Sequence, residues 1–321
     1  MMQPPAYADI LDAKRVVDRY LQPTPLHHYP RLSSLFGFDV FIKHENHQPI
    51  GSFKLRGGIN LVSRLSGAEK RAGVIAASTG NHGQSIAYAA RMFGVAAIIA
   101  VPERANPDKV AAMQALGADV QFHGRDYDEA RLWVEDQAQR HGYRYIHSAN
   151  EPLLIAGVGT IGMEILHAAP DIDTIIVPVG GGSSAAGISI AAKTINPKIR
   201  IVGVQSEHAP AAHESWKARK VLSSGLCTTF AEGMATRQAF ELTLRIMIEH
   251  LDDFVLVSDQ ELFSAIRTLF EYTHNVAEGA GAASLAAAKK TMNALKGKKV
   301  ALDLSGGNLT TEMLKKIFNP S

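Results

Sequence analysis

The sequence is poor in the residues that fix a chain to an oxidising compartment, a membrane or a polyanion. Cysteine occurs once among 321 residues, at Cys227, so an internal disulfide is excluded and a reducing, cytoplasmic setting is expected. No motif places a base beside Cys227, which therefore reads as a packed or loop residue rather than a nucleophile. Unbroken apolar runs are short. The longest, Val95–Val101, falls far below the roughly 20 residues a spanning helix needs. The start, Met1-Met2-Gln3-Pro4-Pro5, has neither the basic opening nor the apolar stretch of a secretory signal. Excess charge is lacking too: 33 Lys and Arg against 31 Asp and Glu leave a net +2, so neither nucleic acid nor an anionic membrane is expected as partner. The 13 histidines are scattered and never take His-Glu-x-x-His spacing, so no metal is expected.

What is present is a hydrophobic content of 46% with 20% charge, enough to bury two sizeable cores. Residues 7–20 read as an amphipathic helix, and Asp39–Glu45 alternates apolar and polar as a short strand does. From about residue 68 the pattern becomes strand-then-helix, with strands at 73–77, 97–101, 119–122 and 143–146. After Asn150 come a helix at 153–168, a strand at 174–179, a helix at 184–194 and a strand at 200–204. A helical tail over 259–295 leads to a last strand at 299–304. The pattern predicts an α/β chain of two three-layer αβα domains with open twisted sheets. Residues 1–67 and 149–321 would form the large domain and 68–148 a small one set within it.

Four stretches carry the chemistry. Gly51-Ser52-Phe53-Lys54-Leu55-Arg56-Gly57-Gly58 puts a lysine among small and apolar neighbours just after a predicted strand. Most lysines are solvated surface charges, but one partly buried at a strand end can attack an aldehyde. Gly180-Gly181-Gly182-Ser183-Ser184 lies between an apolar strand and a small-residue helix. Three consecutive glycines are wasteful in a plain turn and suit a phosphate cradle made of backbone N–H groups and a helix N-terminus. The same stretch fits the dinucleotide pattern G-x-G-x-x-A, but Gln205 stands where that pattern needs an acid at the end of the next strand. Gly157-Val158-Gly159-Thr160-Ile161-Gly162 fits G-x-G-x-x-G in full, yet follows a stretch better suited to a helix, where its glycines would serve close packing. In Ser78-Thr79-Gly80-Asn81-His82-Gly83 a strand end meets a helix start, which gathers free N–H groups around a carboxylate or simply caps the helix. Ser305-Gly306-Gly307-Asn308 ends the last strand, and Glu278 stands among small residues as a site acid or a helix-start carboxylate.

The runs SFKLRGG, STGNHGQ, PVGGGSSAAG and SGGN, in this order, resemble the serine/threonine dehydratase group of pyridoxal-phosphate (PLP) enzymes, which includes serine racemase. The resemblance implies the tryptophan-synthase-β-like fold (fold type II), PLP as cofactor, a small amino-acid substrate and a homodimer or higher homo-oligomer. It implies that Lys54 carries the cofactor and that Phe53 lies against its ring. Gly180, Gly181, Gly182, Ser183 and Ser184 would hold the phosphate, Asn81 the phenolate oxygen and Ser305 the pyridine nitrogen, with Glu278 nearby. Ser78, Thr79, Gly80, Asn81 and His82 would receive the substrate carboxylate, and Thr79 would serve the face opposite the lysine. The implied reaction is dehydration and deamination of an L-β-hydroxy-α-amino acid to a 2-oxo acid and ammonia, with racemisation as the alternative and a non-catalytic phosphate- or dinucleotide-binding protein as a less favoured reading. Relatives such as serine racemase hold a divalent cation on acids after the strand following the glycine loop. Gln205 and Ala211 stand at those places here, so no such site is expected.

Overall fold

The strands are β1 (Leu26–His28), β2 (Asp39–His44), β3 (Val74–Ala77), β4 (Ala97–Val101), β5 (Asp119–Phe122), β6 (Arg144–Tyr145), β7 (Thr174–Pro178), β8 (Arg200–Ser206), β9 (Asp253–Val257) and β10 (Lys299–Leu304). In the first half of the chain the helices are α1 (Tyr7–Val17), α2 (Pro30–Phe36), α3 (Lys54–Ser63), α4 (Gly67–Ala72), α5 (Asn81–Met92), α6 (Pro107–Ala115), α7 (Tyr127–His141) and α8 (Pro152–Ala168). The rest are α9 (Ser183–Ile195), α10 (Ala211–Ala218), α11 (Glu241–His250), α12 (Asp259–Thr273), α13 (Gly279–Lys290), α14 (Met292–Leu295) and α15 (Thr311–Phe318). This structure, a computed structural model, describes residues 2–319.

The strands form a six-stranded sheet in the order β1-β2-β10-β7-β8-β9 and a four-stranded sheet in the order β5-β4-β3-β6. All neighbours are parallel except β1, which runs antiparallel to β2 at the edge. The chain completes the small sheet between β2 and β7, then returns to insert β10 between them.

Both faces of the large sheet are covered, which is why β7, β8 and β10 read as nearly continuous apolar runs. Val300, Leu302, Leu304, Ile176, Val202 and Val204 pack toward α12 and α13. Ala301, Ile175, Val177 and Ile201 pack toward α8 and α9. Burying a residue such as Leu302 contributes about 1.5–3 kcal/mol. In the small sheet Val74, Ala76, Ile99 and Val101 face α5 and α6, whereas Ile75, Ala77 and Ala100 face α7. Each sheet is thus the middle of three layers.

Close helix packing uses the glycines of α8. A Cβ on Gly157 would strike the Arg56 carbonyl of α3, and one on Gly162 would lie 2.9 Å from the Ile188 carbonyl of α9. The helical tail expected over 259–295 is not continuous. His274, at φ +57°, ends α12, and residues up to Glu278 form a loop before α13.

Candidate active site

Lys54 is the first residue of α3, at the carboxyl end of the β2 layer. Its backbone is held on two sides: Phe53 N–H donates to the Ser305 carbonyl at 3.1 Å, and Ser85 Oγ donates to the Lys54 carbonyl at 2.7 Å. Gly58 permits that approach, since a Cβ there would strike Ser85 Oγ. Lys54 Nζ donates to Ser183 Oγ at 3.2 Å and lies 5.0 Å from the centre of the buried Phe53 ring. Burial brings the amine down to about 8, against the opposing pull of Glu278. An appreciable fraction is then neutral near physiological pH, the form that attacks an aldehyde.

Ser183 opens α9, so the lysine points at the glycine cradle. Gly182 caps the helix at φ +88° without a side-chain hydrogen bond, leaving the first-turn N–H groups of α9 for a ligand. The loop is packed from behind. A Cβ on Gly180 would strike the Gly233 carbonyl, one on Gly181 would lie 3.0 Å from Ala149 Cβ, and one on Gly182 would lie 3.0 Å from Thr243 and Met247. Thr243 Oγ1 donates to the Gly181 carbonyl at 2.7 Å. Ser184 Oγ is turned back to the Pro178 carbonyl at 3.1 Å, whereas Ser183 Oγ faces the lysine. The residues present fit a phosphate group here: the loop backbone is glycine at three successive positions, and no side chain could be added at Gly180.

The facing loop comes from the small sheet, between β3 and α5. Ser78 is spent on the turn, its Oγ accepting from Gly80 N–H at 3.1 Å and Gly83 N–H at 2.8 Å. Thr79 and Gly80 are half-buried. Asn81 Nδ2 donates to Glu278 at 2.7 Å, and Asn81 Oδ1 accepts from Asn308 Nδ2, also at 2.7 Å. Asn308 in turn donates to the Ile50 carbonyl at 2.8 Å, so one chain of polar groups joins loops at the ends of both sheets. His82 is buried, with Nε2 3.3 Å from the Ile146 carbonyl, and burial with nearby Lys54 pushes it down to about 3. It is neutral at physiological pH.

Ser305 is buried at the end of β10. Glu278 occupies the N-cap position of α13, yet its side chain makes no cap and reaches Asn81 instead. Burial pushes its carboxyl up. It comes this close because α13 is built of small residues: a Cβ on Gly281 would strike the Gly306 carbonyl.

Sequence reasoning missed three features. Asn308 lay within a quoted motif without a role, although an asparagine after two glycines is itself a signal. Lys109 of α6 pairs with Glu232 across the two sheets, and nothing in either local sequence points to that. Gln205 has a positive task, its Oε1 accepting from Ala212 N–H at 3.1 Å and His213 N–H at 3.0 Å and so capping α10. Among the described residues no group of three or more His, Cys, Asp or Glu side chains is arranged to hold a metal ion. No helix among them is long and apolar enough to cross a membrane.

Known proteins share this fold. The chain is 38% identical over 311 residues to the L-threonine ammonia-lyase of Thermotoga maritima, covering 97% of this chain and 77% of that one. The processed form of threonine deaminase isoform 2 from Solanum lycopersicum superposes with a TM-score of 0.92 at 33% identity, over 98% of this chain and 94% of that one. Maize serine racemase superposes equally well, with a TM-score of 0.92, at 28% identity and over 98% and 97% of the two chains. Residues 17–306 match the family described as pyridoxal-phosphate dependent enzyme. With a half-buried lysine set against a glycine cradle and that match over nearly its whole length, the chain belongs to the pyridoxal-phosphate dependent enzyme family.

Proposed function

We propose that the chain is a fold-type-II lyase that dehydrates and deaminates an L-β-hydroxy-α-amino acid. The substrate would be serine- or threonine-like, or a bulkier 3-hydroxy amino acid, and the products a 2-oxo acid and ammonia. The observation that carries this reading is the Lys54 amine, lowered to about 8 and set 3.2 Å from Ser183 at the start of α9, in a chain similar to a threonine ammonia-lyase. PLP, when bound, supplies the electron sink for the negative charge left at the substrate α-carbon.

The chain's own residues do the rest. Lys54 Nζ would hold the cofactor covalently and, as a free amine, would take the proton from the substrate α-carbon. The N–H groups of Gly180–Gly182 and the start of α9, with Ser183 and Ser184, hold the phosphate. Phe53 would back the ring, Asn81 would address its phenolate oxygen from the Glu278–Asn308 chain, and Ser305 would face its nitrogen. The loop from Ser78 to His82 orients the substrate carboxylate. Residues 68–148 form the small domain of this site and the remainder the large one. We place the enzyme in the cytoplasm as a homo-oligomer, in keeping with its single cysteine.

Racemisation is the second reading, carried by Thr79, whose hydroxyl would serve the face opposite Lys54. The test is 2-oxo-acid release by the purified protein over a panel of β-hydroxy amino acids in both enantiomers. Release from L-substrates is the expected result, and an inert panel would refute the assignment.

A further inference from the structure

Asp303 has no part in the mechanism above, and its surroundings are unusual. It is fully buried in β10, and neither carboxylate oxygen has a hydrogen-bond partner among the described residues. Strand alternation turns Val300, Leu302 and Leu304 toward α12 and α13, and Ala301 toward α8 and α9. Asp303 shares the face of Ala301 and stands two residues before Ser305, which follows the strand. Across the strand pair Asp303 stands in register with Lys43 of β2.

That face holds a buried ionic cluster in which every cation is already committed. Arg56 of α3 donates to Glu45 through Nε and Nη2, both at 2.8 Å, and to Glu164 of α8 through Nη1 at 2.6 Å and Nη2 at 2.8 Å. Its Nη1 also reaches Thr160 at 3.1 Å. Lys43 donates to Glu164 at 2.5 Å and to the Thr24 carbonyl at 2.6 Å. Glu45 takes a further bond from Thr24 Oγ1 at 2.5 Å. Two cations are matched by two carboxylates, and a third carboxylate would have no counter-charge. A buried carboxyl in that position takes up a proton rather than stay ionised.

We propose that Asp303, two residues before Ser305, is kept in its uncharged acid form, so that it adds no negative charge at the ring-nitrogen end of the cofactor. Burial pushes the Asp303 carboxyl well above the ordinary carboxylate range. Glu45 adds to this, and Lys43 and Arg56 pull the other way less strongly. Glu164 is the remaining charged group of the cluster on that face, and it is neutralised by Lys43 and Arg56. An ionised Asp303 would favour a protonated ring nitrogen, and a neutral one leaves it unprotonated. The ring-facing part rests on the placement of Ser305 proposed above. The acid form of Asp303 does not.

The two parts are tested separately on the holoenzyme at pH 7. Infrared spectra with carboxyl-labelled aspartate should contain the carbonyl stretch of a protonated acid in the wild type, and Asp303→Asn should remove it. Should that variant not fold, Asp303→Val serves the same subtraction. A wild type without the band, or a band that survives either substitution, would overturn the proposal. With ring-labelled PLP, the nitrogen-15 signal should report an unprotonated ring nitrogen in wild type and Asp303→Asn alike. A nitrogen protonated in the wild type and not in the variant would mean that Asp303 is ionised and acts as an acidic partner, the opposite of the proposal. A nitrogen protonated in both, with the acid band present, would overturn the ring-facing role and locate the fault in the placement of Ser305. Stability gives an independent readout. The acid form binds its proton more tightly folded than unfolded, so the wild type loses ground to Asp303→Asn as pH rises above the unfolded value of about 3.9, by about tenfold in unfolding constant per pH unit. A ratio independent of pH would contradict the proposal.

Discussion

Lys54 owes its chemistry to its position at the start of a helix, with no charge partner in contact among the described residues. Ser183 Oγ and the Phe53 ring are its nearest company, and desolvation outweighs the pull of Glu278. Because the amine sits at about 8, the rate at which cofactor-free enzyme takes up PLP should climb with pH and level off above that value. Stopped-flow absorbance would follow it. A rate still climbing tenfold per unit at pH 10 would mean an ordinary exposed lysine. Lys54→Ala should abolish the visible absorbance of the bound cofactor and lower turnover by at least the roughly 10²–10⁴-fold that a positioned proton acceptor contributes, with circular dichroism unchanged. Near-normal turnover would remove Lys54 from the mechanism. His82 and His147 can supply no proton at physiological pH, since burial, with a nearby positive charge in each case, holds them down to about 3 and about 4.

Elements deliver the site, and they explain what could be read in advance. Gly180–Gly182 and Ser305 were legible because each stands at the end of an apolar strand beside glycine, and Lys54 because glycines flank it in the stretch that opens α3, all purely local signals. The chain from Glu278 through Asn81 to Asn308 was not, because its partners lie 197 and 227 positions apart. Nor was the break at His274, where no glycine or proline marks the turn that swings Glu278 into place. The short edge strand β1 carries two histidines and no apolar alternation, and it forms only because β2 offers an open edge. At the end of β8, Gln205 was read only as unsuited to a dinucleotide or a cation, and its work in capping α10 depends on a helix the sequence did not announce. Since that side chain is occupied by backbone N–H groups, activity should survive thorough chelation and gain nothing from magnesium or ATP. Loss of activity in EDTA with recovery in magnesium would reveal a cation site built from other oxygens.

At the scale of the molecule the site lies between two sheets whose loops meet, so catalysis depends on how the sheets are held together. Several ion pairs cross between them. Lys109 joins Glu232, Arg144 joins Glu151 at 2.6 Å, and Arg237 lies 3.5 Å from Asp126. The Lys109 pair lies beside the facing loop, because a Cβ on Gly80 would come 3.7 Å from Lys109 Nζ. With the Lys109 side chain 13% exposed and Glu232 53% exposed, the pair is worth no more than about 1 kcal/mol. Lys109→Met should therefore raise KM by up to about fivefold while changing kcat less. The reverse pattern in steady-state kinetics would place the pair in the chemical step.

The two faces of the cofactor decide between elimination and racemisation. In the proposed mechanism Lys54 would be the base on one of them, and Thr79, half-buried, the candidate on the other. A β-branched threonine is stiff at χ1, and two-base racemisation needs a well-aimed group on both sides. Thr79→Ala should leave most L-substrate turnover intact and remove any α-proton exchange from the opposite face. The most direct measurement is a single time course of purified enzyme with L-threonine and L-serine in deuterated water, with 2-oxo acid, ammonia and the inverted enantiomer quantified together. The expected result is equal amounts of 2-oxo acid and ammonia with little or no inverted amino acid. Inverted amino acid formed as fast as 2-oxo acid would contradict it.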